Sequence, residues 1–235
     1  MFESPLPVQT SSLPRLLVSV RDPAEAEAAR LAGADLIDAK DPERGALGAL
    51  GPETVREIVA RVSGGAVTSA VAEAMPEDVA AMAATGVDWV KTGIGAAGRR
   101  DGAAMAALAA AAPGRLIAVL FAEDGPAAAL VPGLAEAGFA GAMIDTAGKR
   151  GARLPDLAAP EDLGAFTAAC RAHGLMSGLA GSLRVIDIPS LSTYAPDYLG
   201  FRGGLCRDFD RRNGIDPLRV AEALRVLRPS RRDAA

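Results

Sequence analysis

The sequence predicts a single-domain α/β protein, a (β/α)8 TIM barrel. Eight short β-branched apolar runs alternate with longer Ala-rich amphipathic runs, and eight such units in about 220 residues suit a compact barrel. The turn after the first run reads RDPAEAEAA and carries no GxGxxG loop, which disfavours a doubly wound open sheet. No long linker or low-complexity tract interrupts the alternation.

The elements follow in order. Strand one is expected over Leu16–Val20 and helix one over Pro23–Leu31, with proline at a first helical position where its missing N–H costs nothing. The phrase LAGAD ends that helix on glycine and leads into strand two, Asp35–Lys40. Helix two (Pro52–Val62), strand three (Ala66–Ala72) and helix three (Pro76–Ala84) repeat the grammar. AATGVD then delivers strand four, Asp88–Ile94, followed by helix four, Gly102–Ala112. Strand five spans Leu116–Ala122 and helix five Gly125–Ala137, and AEAGFA passes the chain to strand six, Gly141–Thr146. Helix six is Pro160–Ala172 and strand seven Leu175–Gly181. A short helical piece near Val185–Ser192 precedes strand eight, Tyr198–Gly203, and helix eight, Pro217–Val226. Residues 1–15 read as an N-terminal arm, 16–228 as the barrel and 229–235 as a polar tail.

Composition excludes several classes. The formal net charge is −4, and no basic stretch is interleaved with aromatics, so no nucleic-acid partner is expected. Arg225, Arg228, Arg231 and Arg232 read as a solvated C-terminal end. No apolar run reaches the length of a membrane span, and the opening MFESPLPVQTSSLPR lacks the features of a secretory signal. Two cysteines, Cys170 and Cys206, make no disulfide framework, which suits a reducing cytoplasm. Cys170 reads as core, and Cys206 lies in a Gly-rich loop near the proposed site. The lone histidine, His173, fits a helix C-cap, which removes His-rich metal sites and leaves no metal centre expected. GxxxxGK[ST] and CxxC are absent.

Four strands reach their ends at a charge: Lys40 in DLIDAKDP, Lys91 in DWVKTG, Asp145 in AMIDTAGK and Arg202 in YLGFRGG. These fall on strands two, four, six and eight, and alternate strands of a barrel share an interior layer. Asp38 points the same way as Lys40 by the two-residue strand period. Two lysines and two carboxylates should therefore meet at the C-terminal mouth. A desolvated lysine, or one beside a second cation, holds its proton weakly and becomes a nucleophile toward carbonyls. The same residues also fit two structural ion pairs, of Lys40 and Lys91 with Asp38 and Asp145.

Two late loops look built for anions. LAGSLR follows strand seven and FRGGLCR follows strand eight, where barrels often hold phosphate. Gly181, Ser182, Gly203 and Gly204 would present backbone N–H groups, with Arg202 as their cation. In DPERGALGA, Arg44 is either a second anion contact or an exposed loop residue.

The combination GADLIDAKDPERGALGA, DWVKTGI, AMIDTAGKRG, GLAGSL and FRGGLCR…DRRNG resembles the (5-formylfuran-3-yl)methyl phosphate synthases, over about Leu16 to Val226. The resemblance implies a cofactor-free lyase that condenses two molecules of glyceraldehyde 3-phosphate, losing one phosphate and water. In that family the furan aldehyde produced feeds methanofuran-type one-carbon cofactors. Its Schiff-base lysine matches Lys40 and its acid–base lysine Lys91, while Asp145 and Lys149 match further active-site positions. The N-terminal arm and the strand-five segment LIAVLFAEDG depart from the family pattern.

The expected partner is thus a phosphorylated triose. Ala-rich outer helices suggest a homo-oligomer. Two other functions suit the same residues: a different Schiff-base aldolase of phosphorylated sugars, and a non-catalytic barrel that binds a phosphometabolite.

Overall fold

The computed structural model describes residues 13–95, 101–148 and 152–228. Eight parallel strands close into a barrel in chain order: β1 (Arg15–Val20), β2 (Leu36–Ala39), β3 (Val67–Ala72), β4 (Trp89–Gly93), β5 (Leu116–Phe121), β6 (Gly141–Asp145), β7 (Met176–Leu179) and β8 (Tyr198–Phe201). Closure comes from β8 lying beside β1, with Leu16 opposite Leu199 and Val18 opposite Phe201. The strand expectations hold to within two residues at each end.

Helices α1 (Pro23–Leu31), α2 (Pro52–Val62), α3 (Pro76–Ala83) and α4 (Gly102–Ala111) follow β1 to β4. The expected helix over Gly125–Ala137 is instead a single 3₁₀ turn, Ala128–Leu130, followed by a short α5, Val131–Glu136. Pro132 explains the break: inside a continuous helix its ring would clash with the carbonyl four residues earlier, so the helix starts anew around it. An unexpected one-turn α6 (Leu154–Leu157) precedes α7 (Pro160–Ala172). The weak seventh unit is a 3₁₀ turn, Val185–Asp187, running into α8 (Ile188–Ser192), and α9 (Pro217–Leu227) closes the ring. Six of these helices carry proline in their first turn beside a β-region cap: α1, α2, α3, α6, α7 and α9.

An aspartate at the foot of three even strands pins the strand before it. Asp35 accepts from Leu16 N at 2.8 Å, Asp88 from Thr68 N at 2.7 Å and Asp197 from Ser177 N at 2.7 Å. Each bond satisfies a buried donor at the closed end of the barrel. Two apolar layers result. One lies between strands and helices, and the other fills the barrel interior with Leu17, Leu36, Ile117, Val119, Met143, Met176, Ala180 and Tyr198. The interior is thus solid below, and the chemistry is confined to the C-terminal end. Among the described residues no helix is long and apolar enough to cross a membrane.

Candidate active site

Strand pairing sets Ser19 beside Asp38 on one side and Ser69 on the other. Both hydroxyls donate to the Asp38 carboxylate, at 2.9 and 2.6 Å, and Lys91 Nζ donates to Oδ1 at 2.9 Å. Lys91 is not at the end of its strand, as its sequence context suggested, but at the centre of β4. Its side chain consequently sits deep in the barrel, 2% exposed. Burial would raise the Asp38 pKa, but the charges of Lys91 and Lys40 and the donated hydrogen bonds outweigh it and hold the carboxyl below its ordinary value. For Lys91 burial prevails: it drives the ammonium below the ordinary lysine value, and the opposing pull of Asp38 offsets this in part.

Lys40 stands one residue past β2, at the mouth, and donates to Asp145 Oδ2 at 3.2 Å. Asp145 ends β6, and its Oδ1 accepts from the Thr146 backbone N–H at 2.8 Å. The Lys40 side chain is 14% exposed, so it forms part of the cavity wall and not of the core. The structure thus brings together Asp38, Lys40, Lys91 and Asp145 from β2, β4 and β6. Both ion pairs form, and all four members line one open cavity of about 980 Å³. Among the described residues its walls carry seven basic and four acidic side chains, a positive excess in a chain of net charge −4, which favours an anionic ligand.

Below the lysines lies Tyr198, fully buried, with Lys91 Nζ 5.5 Å from its ring centroid. That spacing suits a cation–π contact. Gly178 makes the room, since a methyl group built there would overlap the Tyr198 ring. Above the lysines the loop between β2 and α2 folds over the mouth, closed on itself by the Asp41 N–H donating to Gly48 O at 2.8 Å.

The anion loops lie on the same cavity. Gly181 and Ser182 follow β7, and Gly203 and Gly204 follow β8; all four line the wall. Among the described residues their backbone N–H groups have no hydrogen-bond acceptor. Gly181 has φ +115°, and a side chain there would strike Thr146. Gly204 approaches the Leu183 carbonyl so closely that a Cβ would overlap it, which joins the β7 and β8 loops into one wall.

Two expected phosphate ligands, Arg202 and Arg44, are engaged with protein acceptors. Arg202 lines the same cavity, but its guanidinium is spent within the protein. It pairs with the Glu25 carboxylate and donates to the carbonyls of Ser19 (3.1 Å), Arg211 (3.0 Å) and Asn213 (3.4 Å). A largely buried guanidinium takes the acceptors that satisfy it, and Glu25 in the first turn of α1 supplies the charge. Arg44 stays on the exposed rim outside the cavity, bonded to Ala49 O at 2.9 Å and 3.7 Å from Glu73. Lys149 lies outside the described residues, as do the arm up to residue 12 and the tail from residue 229. The approach to Lys149 is held: Ala147 and Gly148 donate their N–H groups to Glu123, at 3.0 and 2.8 Å. Glu123 belongs to the divergent strand-five segment.

Cys206 is buried with its thiol pushed up to about 11 by burial, and it does not line the cavity. Cys170 is core, pushed up to about 12 by burial. His173 caps α7 at the surface, its N–H bonded to Ala169 O at 3.1 Å. Sequence reasoning missed Ser19, Ser69, Tyr198 and Leu47. The strand period would have found the two serines, which share the inward parity of Asp38 once strand register is known.

Comparison with known proteins follows from this geometry. A family model described as 4-HFC-P synthase matches residues 16–224. A Methylorubrum extorquens relative, which carries the name (5-formylfuran-3-yl)methyl phosphate synthase provisionally, is 60% identical over 232 residues, 96% of this chain and 97% of that protein. The (5-formylfuran-3-yl)methyl phosphate synthase of Methanopyrus kandleri is 36% identical over 86% of this chain and 93% of its own. Among solved structures, phosphoribosyl anthranilate isomerase from Thermus thermophilus superposes with a TM-score of 0.67, covering 91% of this chain and 98% of its own at 17% identity. At that identity the likeness shows the barrel alone.

Proposed function

This chain belongs to the (5-formylfuran-3-yl)methyl phosphate synthase family, and on that premise we propose that it is a lyase joining two molecules of glyceraldehyde 3-phosphate through an imine on Lys40. The atoms balance when one phosphate and two waters leave the two trioses and a phosphorylated furan aldehyde remains. The convergence of Asp38, Lys40, Lys91 and Asp145 on one electropositive cavity carries the reading.

The two lysines differ in reach. Lys40 lies on the cavity wall, where a substrate carbonyl can approach its Nζ. Its partner Asp145, 3.2 Å away, can take the proton that the amine sheds and return it to the departing carbinolamine oxygen. Lys91 lies deeper, and burial makes its proton easy to give up. With Asp38 at 2.9 Å it can pass a proton to the hydroxyl or phosphate that leaves during ring formation. The N–H groups of the β7 and β8 loops, which meet no acceptor among the described residues, suit the phosphate that stays on the product.

Borohydride trapping with glyceraldehyde 3-phosphate, followed by peptide mapping, tests the assignment. An adduct on Lys40 is expected, together with phosphate release and a new furan absorbance. An adduct on Lys91 would exchange the two roles. Carbon–carbon bond formation without phosphate release would make the protein an aldolase. Furan formation with no adduct on either lysine would overturn the imine.

A further inference from the structure

We propose that Arg211, not Arg202, supplies the cation of the phosphate site at the β7 and β8 loops, and that Arg202 and Glu25 hold it there. The inference deepens the reading above and rests on its phosphorylated substrate.

Arg202 Nε donates to the carbonyl of Arg211 at 3.0 Å, and the Arg202 guanidinium is itself fixed by Glu25. The backbone of Arg211 is thereby tied to the end of β8. Its Cβ lies 3.6 Å from where a Cβ on Gly203 would stand, so its side chain starts beside the Gly203–Gly204 turn. From there it lines the cavity and ends with Nη2 donating to Gly45 O at 3.0 Å. Its Nε is buried and meets no acceptor among the described residues.

The other arginines on the wall are committed. Arg153 pairs with Asp156 and Asp187, Arg202 with Glu25, and Arg212 with Asp210. Arg184 is exposed and lies over the Phe209 ring. Arg211 faces no carboxylate among the described residues, and its idle Nε–H is a buried donor that costs free energy until an acceptor arrives. A phosphate monoester provides that acceptor. Its oxygens match the planar edge of a guanidinium, while the N–H groups of Gly203 and Gly204, without an acceptor among the described residues, belong to the turn beside it. Because Nη2 also holds Gly45, the phosphate site and the loop over Lys91 share one guanidinium.

The test compares wild type, Arg211→Gln and Arg211→Lys in two measurements. Titration calorimetry with inorganic phosphate should show affinity falling about tenfold or more in Arg211→Gln, with Arg211→Lys between the two. Borohydride trapping should then require a correspondingly higher concentration of glyceraldehyde 3-phosphate for half-maximal labelling. For unphosphorylated glyceraldehyde, which makes no phosphate contact, that concentration should stay unchanged. Undiminished phosphate affinity in Arg211→Gln, or no phosphate binding by the wild type, would overturn the proposal. So would an equal loss for both aldehydes, which marks a merely structural role. Weakened phosphate binding in a protein that traps neither aldehyde upholds Arg211 and removes the imine instead.

Discussion

Leu47 occupies the space that a side chain on Gly93 would need: a methyl group built on Gly93 overlaps Leu47 Cδ1. Gly93 lies two residues after Lys91 on the same inward face of β4, so Leu47 caps the buried lysine from the mouth. The tip of the β2–α2 loop is thus keyed into the barrel. Tyr198 closes Lys91 from below and Leu47 from above, and the dryness that loosens its proton comes from both.

Removing the cap should wet the lysine. Leu47→Ala is expected to raise the Lys91 pKa toward the ordinary value and, since Lys91 acts as a proton donor, to move the falling alkaline limb of the kcat/KM profile to higher pH. The stability cost should be about 1–2 kcal/mol, below the range for full burial because Leu47 is only partly buried. Gly93→Ala should evict Leu47 and shift the profile the same way. An unmoved pH profile in both variants would show that Leu47 does not control the lysine.

The Asp38–Lys91 pair should reveal itself in single against double substitution. Lys91→Met alone strands a buried carboxylate and should cost about 3–5 kcal/mol. Adding Asp38→Asn removes that stranded charge, so the double variant should be more stable than Lys91→Met while remaining inactive. Denaturant titrations of the three proteins check the order.

Stability should also depend on pH in two windows. Asp38 titrates below its ordinary 3.8 when folded, so its contribution is complete above 3.8 and is lost as pH falls through the lower folded value. Lys91 gives up its proton below its ordinary 10.5 when folded, so in that window the unfolded chain binds the extra proton. Stability should therefore rise with pH on the alkaline side as 10.5 is approached. The Lys91→Met, Asp38→Asn variant should lack that rise, as chemical denaturation at several alkaline pH values would show.

Gly178 and Tyr198 should behave as a matched pair. Gly178→Ala drives a methyl group into a fully buried ring and is expected to cost 3 kcal/mol or more, at the top of the overpacking range. Tyr198→Leu in the same chain should restore much of the loss by vacating that volume. Thermal melts of the single and double variants decide it; a double variant no better than Gly178→Ala would mean that the clash is relieved in some other way.

Much of the barrel was legible because the information is local. Apolar runs of period two, proline at helix starts and glycine at helix ends can each be read within a few residues, and they placed all eight strands. The same parity set Asp38 and Lys40 on one face, and strand parity alone put Lys91 and Asp145 within reach of them. Helix five failed for an equally local reason, since Pro132 interrupts a run that alanine content otherwise favours.

Partnership was decided by closure of the barrel. Lys91 and Asp38 are 53 residues apart, Lys40 and Asp145 are 105, and Arg202 and Glu25 are 177. Sequence alone determined which charges face the mouth. It could not say that Arg202 would turn to a carboxylate on the first helix, because that pairing exists only once β8 lies beside β1. Nor could it place Lys91 at the buried centre of β4, where depth follows from strand register around the whole ring. Desolvation and charge pairing act through space, so the tertiary structure alone settled which lysine is dry and which arginine is spent.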